Sequence, residues 1–185
     1  LPKDAIISSD IGNNCAIGNA YPTFEQGRKY LAPGLFGPCG YGFPSIIGAK
    51  IGNPDTPVVG FAGDGAFGIS MNEMTSVGRE DWPAITMVIF RNYQWGAEKR
   101  NSILWYDNNF VGTELDPNLS YARVAEGCGL KGVTVTTQAE LTAALKESCE
   151  AQKDGVTTFI EIILNQELGE PFRRDAMKKP VEVAG

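Results

Sequence analysis

Short apolar runs punctuate this chain, and most of them end at glycine, aspartate or asparagine. Ala5-Ile6-Ile7-Ser8-Ser9 is the first, Pro57-Val58-Val59-Gly60-Phe61-Ala62 the clearest, and Ala84-Ile85-Thr86-Met87-Val88-Ile89-Phe90 the longest in the middle of the chain. Runs of this length bounded by turn residues predict buried strands. Residues 30–32, 133–135 and 158–164 complete a set of six strands. Between them, helical spacing predicts helices over 44–51, about 72–79, 119–128 and 138–152. Pro44 suits a first turn, and Leu141, Ala144, Leu145 and Cys149 share one face of the last helix. Residues 10–14 read as a polar turn and 93–118 as an aromatic, irregular segment. Strands apolar on both faces, alternating with helices, predict an α/β fold in three layers, a mostly parallel sheet with helices on both sides.

Sheets of this kind bind ligands beyond the carboxyl ends of their strands. Four polar or glycine-rich stretches fall at that edge: 10–14, 34–42, 63–67 and 92–96. Gly63-Asp64-Gly65 ends one predicted strand, and Asn92 follows the next, 28 positions after Asp64. An acid and an amide, each at the end of a strand next to a turn, suit a hard cation such as Mg²⁺, which takes oxygen ligands. The glycine-rich loop with Gly34, Gly37, Gly40 and Gly42 lacks the Lys-Ser/Thr of a P-loop, and Gly40, Gly42 and Gly48 miss the G-x-G-x-x-G spacing.

Composition narrows the chemistry. At 185 residues and 43% apolar content, a single domain with a real core is expected. A net charge of −6 disfavours nucleic acid as a partner. No apolar run approaches the roughly 20 residues that span a bilayer, so no membrane partner is expected, and a cytoplasmic location is. The first residue is Leu1, not Met, and a segment of a longer polypeptide is the expectation. Cys15, Cys39, Cys128 and Cys149 are widely spaced, which predicts reduced thiols in or near the core. There is no histidine, which removes Ser-His-Asp and Cys-His nucleophiles and His-bound zinc from this chain.

The ordered set of Gly63-Asp64-Gly65, Asn72-Glu73-Met74, Pro83 and Asn92 resembles the signature of thiamine-diphosphate-dependent enzymes, and the likeness extends over nearly the whole chain. That resemblance implies the family's diphosphate-binding domain over residues 1–185, with thiamine diphosphate and Mg²⁺ as cofactors. It implies metal ligation by Asp64, Asn92 and the carbonyl of Gln94, and diphosphate contacts from Gly63, Gly65, Ala66, Ile11, Gly12, Asn13 and Asn14. It places Gly37, Pro38 and Cys39 against the aminopyrimidine, with Cys39 where relatives commonly carry Met and Arg91 where many have a second Asn. The glutamate that activates the cofactor has no counterpart here and is expected on another domain, so no catalytic residue is assigned in this chain.

Within the acetolactate synthase-like group, 92–101 and 170–180 resemble the sulfoacetaldehyde acetyltransferases. The substrates implied are sulfoacetaldehyde and phosphate, in a homo-oligomer of at least two subunits. Lys99, Arg100, Arg173 and Arg174 are cations suited to those anions. Two other readings stay open on the residues: the diphosphate-binding subunit of a sulfopyruvate- or phosphonopyruvate-type decarboxylase or acetolactate synthase-like enzyme, and a non-catalytic cofactor-binding domain.

Overall fold

A computed structural model describes residues 1–24, 27–79 and 81–167. Six strands form one parallel sheet: β1 (Ile6–Ser9), β2 (Tyr30–Leu31), β3 (Val58–Gly63), β4 (Thr86–Arg91), β5 (Lys131–Val135) and β6 (Thr158–Ile163). Their order is β2-β1-β3-β4-β6-β5. The chain therefore leaves β1 to one side for β2 and returns to its other side for β3. That reversal makes the carboxyl ends of β1 and β3 a switch point, where a crevice opens between diverging loops.

Among the described residues seven helices form: α1 (Asn13–Ala20), α2 (Gly42–Gly52), α3 (Asp64–Ser70), α4 (Met74–Val77), α5 (Gly96–Trp105), α6 (Tyr121–Gly127) and α7 (Gln138–Ala151). Alternate strand residues feed two cores, as the period of two requires. Val58, Met87, Ile89 and Phe159 face one side, with Phe43 and Ile46 of α2, Phe67 of α3, Met74 of α4 and Ala125 of α6. Val59, Val88 and Ile160 face the other, with Leu141, Ala144, Leu145 and Cys149 of α7. The three-layer α/β architecture is the one expected.

Three elements differ from expectation. The supposed polar turn at 10–14 runs into α1, a helix whose sequence NNCAIGNA has no apolar stripe. The helix after Gly63-Asp64-Gly65 starts at Asp64 itself, several residues before the predicted 72, and continues through a 3₁₀ turn (Met71–Glu73) into α4. The segment 93–118, predicted irregular, holds α5. Glycine and asparagine are poor helix formers, so α1 and α3 owe their existence to packing on the sheet, whereas α5 buries no residue and rests on helix formers such as Ala97, Glu98, Lys99 and Arg100. The cysteines are free thiols: Cys15 and Cys149 are buried and Cys128 partly so, but Cys39 is exposed rather than in the core. The stretch 170–180, with Arg173 and Arg174, lies outside the described residues.

Candidate functional site

The parallel register fixes the centre of the site. Gly63 pairs with Phe90, so the next residues, Asp64 on β3's side and Arg91 on β4's, emerge together at the carboxyl edge. Asp64 is the first residue of α3 and is buried, as are Arg91 and the Gln94 side chain. Tyr93 takes a left-handed φ of 62°, a costly conformation for a non-glycine residue, and so turns its N–H back to Asp64 Oδ2 at 2.7 Å. Its neighbours are stitched to a distant segment. Trp95 N–H donates to the Thr113 carbonyl and Leu115 N–H to the Tyr93 carbonyl, flanking an antiparallel bridge between Gln94 and Glu114. In such a pair the central residue's own C=O points away from the bridge.

That leaves the Gln94 carbonyl facing Asn92. The Asn92 carboxamide oxygen lies 3.0 Å from Gln94 O and 3.3 Å from Asp64 Oδ1, the positions where a half-turn of the amide would place its nitrogen as a donor to both. With the amide oxygen turned inward three oxygens converge with no hydrogen between them, an arrangement that only a cation at their centre favours over the turned amide. Mg²⁺ holds oxygens at about 2.0–2.1 Å in an octahedron, whose neighbouring ligands stand about 3 Å apart. The donor set and its spacing fit that ion. It contains a single carboxylate; no group of three or more His, Cys, Asp or Glu residues able to hold a metal occurs among the described residues.

The surrounding charges are tightly arranged. Burial pushes the Asp64 carboxyl above the usual carboxylate range, opposed by the Tyr93 amide, Arg91 and the Gly65 amide. Arg91 Nη1 donates to Asp64 Oδ2 at 3.0 Å, and its Nε lies 3.6 Å from Glu161 Oε1. Tyr121 donates its hydroxyl to the Asp64 main-chain carbonyl at 2.8 Å. Burial, then the charge of Asp64, raises the Tyr121 hydroxyl to about 12, so it stays a donor.

Beside the oxygens opens a cavity of about 960 Å³, lined by residues from β1, α1, β3, α3, β4, α5 and the stretch after β6. Its wall includes Ile11, Gly12, Asn13, Asn14, Gly37, Cys39, Gly63, Asp64, Gly65, Ala66, Asn92 and Gln94. The structure brings these sequence-derived candidates together; Pro38 is exposed in the same loop, off the wall. The cavity joins the N-terminal ends of α1 and α3. First-turn N–H groups lack intrahelical acceptors and favour an anion. Gly12 precedes α1 at φ 122°, open to glycine alone, and leaves no side chain over that end. At Gly65 a Cβ would sit 2.8 Å from the Trp95 ring, so the absence of a side chain lets that ring close over α3. Both amide hydrogens of Asn14 are committed, to Ser9 Oγ and the Asp10 carbonyl, so its side chain has no donor to spare. A narrow polar patch at the oxygens and amides beside an apolar wall with Phe61, Phe90, Ile17 and Leu164 fits an amphipathic cofactor with an anionic end.

Sequence reasoning missed Asp10, Trp95 and Tyr121. Asp10 carried a weak signal as the acid closing the first strand. Lys99 pairs with Glu114 and covers the Phe110 ring, while Arg100 lines the cavity.

Residues 10–162 match the family described as "Thiamine pyrophosphate enzyme, C-terminal TPP binding domain". The chain is 84% identical over 185 residues to the "Probable sulfoacetaldehyde acetyltransferase" of Rhizobium meliloti (strain 1021), covering 100% of this chain and 31% of that protein. It is 74% identical over 185 residues to the sulfoacetaldehyde acetyltransferase of Roseovarius nubinhibens, again with 100% and 31% coverage. The Rhodococcus jostii RHA1 thiamine diphosphate-dependent 4-hydroxybenzoylformate decarboxylase superposes with a TM-score of 0.77 at 27% identity, over 91% of this chain and 31% of that one. The chain thus spans about a third of the length of these relatives.

Proposed function

This chain belongs to the thiamine pyrophosphate enzyme family, and from that membership we propose that it is the diphosphate- and Mg²⁺-binding domain of a sulfoacetaldehyde acetyltransferase. The observation that carries the proposal is the convergence of Asp64 Oδ1, Asn92 Oδ1 and Gln94 O beside the N-terminus of α3. Identity of 84% across all 185 residues to a protein of that name supports the choice of substrate. We take residues 1–185 as one domain of a longer polypeptide.

Each residue then has a task. Asp64, Asn92 and the Gln94 carbonyl hold Mg²⁺. The main-chain N–H of Ala66 holds the diphosphate and those of Asn13 and Asn14 its other end, while Gly65, whose own N–H is taken by Asp64 Oδ1, forms the close wall with Ile11, Gly12 and Gly63. Gly37, Pro38 and Cys39 face the aminopyrimidine, the Gly37 carbonyl accepting from its amino group. Trp95 shields this pocket from water. Thiamine diphosphate, when bound, supplies a carbon nucleophile for the carbonyl and an electron sink for the charge that develops. The overall reaction takes sulfoacetaldehyde and hydrogen phosphate to acetyl phosphate and hydrogen sulfite, with no oxidant and no net proton. The activating glutamate is assigned to another domain, so this chain binds and orients rather than moves the activating proton.

A homo-oligomer of at least two subunits, in the cytoplasm, completes the proposal. Leu35 and Phe36, on the loop that carries Gly37, are almost fully exposed, which suits burial against another subunit or domain. No helix among the described residues is long and apolar enough to cross a membrane.

The test is an assay of the full-length polypeptide with sulfoacetaldehyde, thiamine diphosphate and Mg²⁺. Sulfite and acetyl phosphate should form in equal amounts, and only with phosphate present. No sulfite, or sulfite release indifferent to phosphate, overturns the reaction. Asp64→Ala should abolish Mg²⁺-dependent cofactor binding in the same protein.

A further inference from the structure

Asp64 is surrounded by donors in a way that its role as a ligand alone does not require. An ionised carboxylate offers about four lone-pair positions, two on each oxygen. Oδ2 accepts from Arg91 Nη1 at 3.0 Å and from the Tyr93 N–H at 2.7 Å. Oδ1 accepts from the Gly65 N–H at 3.0 Å. One position remains, on the oxygen that lies 3.3 Å from Asn92 Oδ1.

Arg91 is held as firmly as the carboxylate it touches. Nη2 donates to the carbonyls of Asp116 and Leu119, the latter at 3.1 Å. Nε faces Glu161 Oε1 at 3.6 Å, and Glu161 is itself fixed by Ser120 Oγ and the Tyr121 and Ala122 N–H groups. The rings of Tyr93 and Tyr121 approach the guanidinium carbon at 4.4 and 5.3 Å. A planar guanidinium bonded through both Nη1 and Nη2 and buried between two rings is not free to swing off Oδ2 and admit another partner.

Cations differ in what they ask of such a carboxylate. Ca²⁺ takes six to eight oxygens at about 2.3–2.6 Å and often binds carboxylates through both oxygens; Mg²⁺ demands a near-ideal octahedron at about 2.0–2.1 Å. We propose that Arg91 is a positioning residue that sets metal selectivity: by taking the position on Oδ2 that the Tyr93 N–H leaves open, it confines Asp64 to one contact through Oδ1 and so selects Mg²⁺ over Ca²⁺. The proposal rests on Asp64, Asn92 and Gln94 being the metal ligands.

The experiment titrates Mg²⁺ and, separately, Ca²⁺ into the full-length polypeptide at fixed thiamine diphosphate, reading binding by tryptophan fluorescence rather than turnover. The charge-balanced variant R91M/E161Q removes the donor without leaving Glu161 uncompensated. Its half-saturating Mg²⁺ should rise about 10–100-fold, the usual scale for a ligand's outer partner. Half-saturating Ca²⁺ should rise less or fall, so the preference for Mg²⁺ shrinks. Equal changes for both ions, or a wild type that does not distinguish them, overturn the proposal. Should R91M/E161Q fail to fold, R91Q, too short to reach Oδ2 in the same way, reads the same ratio. Asp64→Ala separates the premise: unchanged Mg²⁺ binding there means the ligand assignment itself is wrong.

Discussion

Asp10 Oδ2 accepts the Gly42 main-chain N–H at 2.6 Å, tying the end of β1 to the start of α2 across 32 residues. Its other oxygen accepts from Ile11 N–H at 2.9 Å and Gly40 N–H at 3.0 Å. One buried carboxylate therefore sets the spacing between two cavity loops, the one with Ile11 and Gly12 and the one with Gly37 and Cys39. A Cβ at Gly42 would lie 2.9 Å from Asp10 N, so only glycine permits the approach.

Replacing Asp10 by Ala should loosen both loops together. Three amides lose a charged acceptor, and a hydrogen bond to a charged group contributes about 1.5–3 kcal/mol. Unfolding by urea should report a loss of about 3 kcal/mol or more, and thiamine diphosphate affinity should fall with it. Unchanged cofactor affinity in a destabilised D10A protein would show that the spacing of the loops does not matter for binding.

Gly65→Ala should act through Trp95 on the loop that carries Asn92 and Gln94. The new methyl would stand 2.8 Å from the indole carbons, and the ring has to move. Overpacking of this kind costs about 1–3 kcal/mol. Because Trp95 follows Gln94 directly, Mg²⁺-dependent cofactor binding should weaken, with a shift in tryptophan emission. An unshifted spectrum with wild-type binding would contradict the contact.

Tyr121→Phe removes the hydroxyl that holds the Asp64 carbonyl. At neutral pH the expected loss is about 1 kcal/mol. The pH dependence is distinctive. The folded hydroxyl is raised from 10.0 to about 12, so the folded chain keeps a proton that the unfolded chain releases. Stability from this group is intact below pH 10 and is lost as pH rises toward 12. Over that window the wild type should lose about 2–3 kcal/mol relative to Y121F. Parallel pH profiles in chemical denaturation would refute this.

Leu35→Ser with Phe36→Ser should weaken subunit association while leaving the fold intact, since both side chains lie outside the cores. Sedimentation velocity on the full-length polypeptide should show a larger dissociation constant. An unchanged assembly would place the interface elsewhere.

Much of the site was legible in the sequence because its ends are local. Val58 to Ala62 and Ala84 to Phe90 are buried strands by composition, and a ligand edge follows wherever such strands stop. Asp64 and Asn92 sit at those stops, so their neighbourhood could be inferred from two short patterns. The helices α1, α3 and α5 could not be read the same way. Asn13-Asn14-Cys15 and Asp64-Gly65-Ala66 have low helix propensity, and their helices form where the sheet and neighbouring elements support them. Arg91 was visible only as a residue in an unusual place; its hydrogen-bond and ion-pair partners lie 25 to 70 positions away.

By itself, the sequence determined the α/β alternation, the carboxyl-edge position of Asp64 and Asn92, and the absence of histidine chemistry. These depend on residue type and on spacing within one element. The tertiary structure alone decided which oxygens converge, that Asp10 clamps two loops, and that Arg91 occupies the second oxygen of Asp64. Those relations depend on the register that pairs Gly63 with Phe90 and on loops such as 113–116 returning to the same edge. Strand register and loop return are set by the summed packing of both cores, which no local pattern encodes.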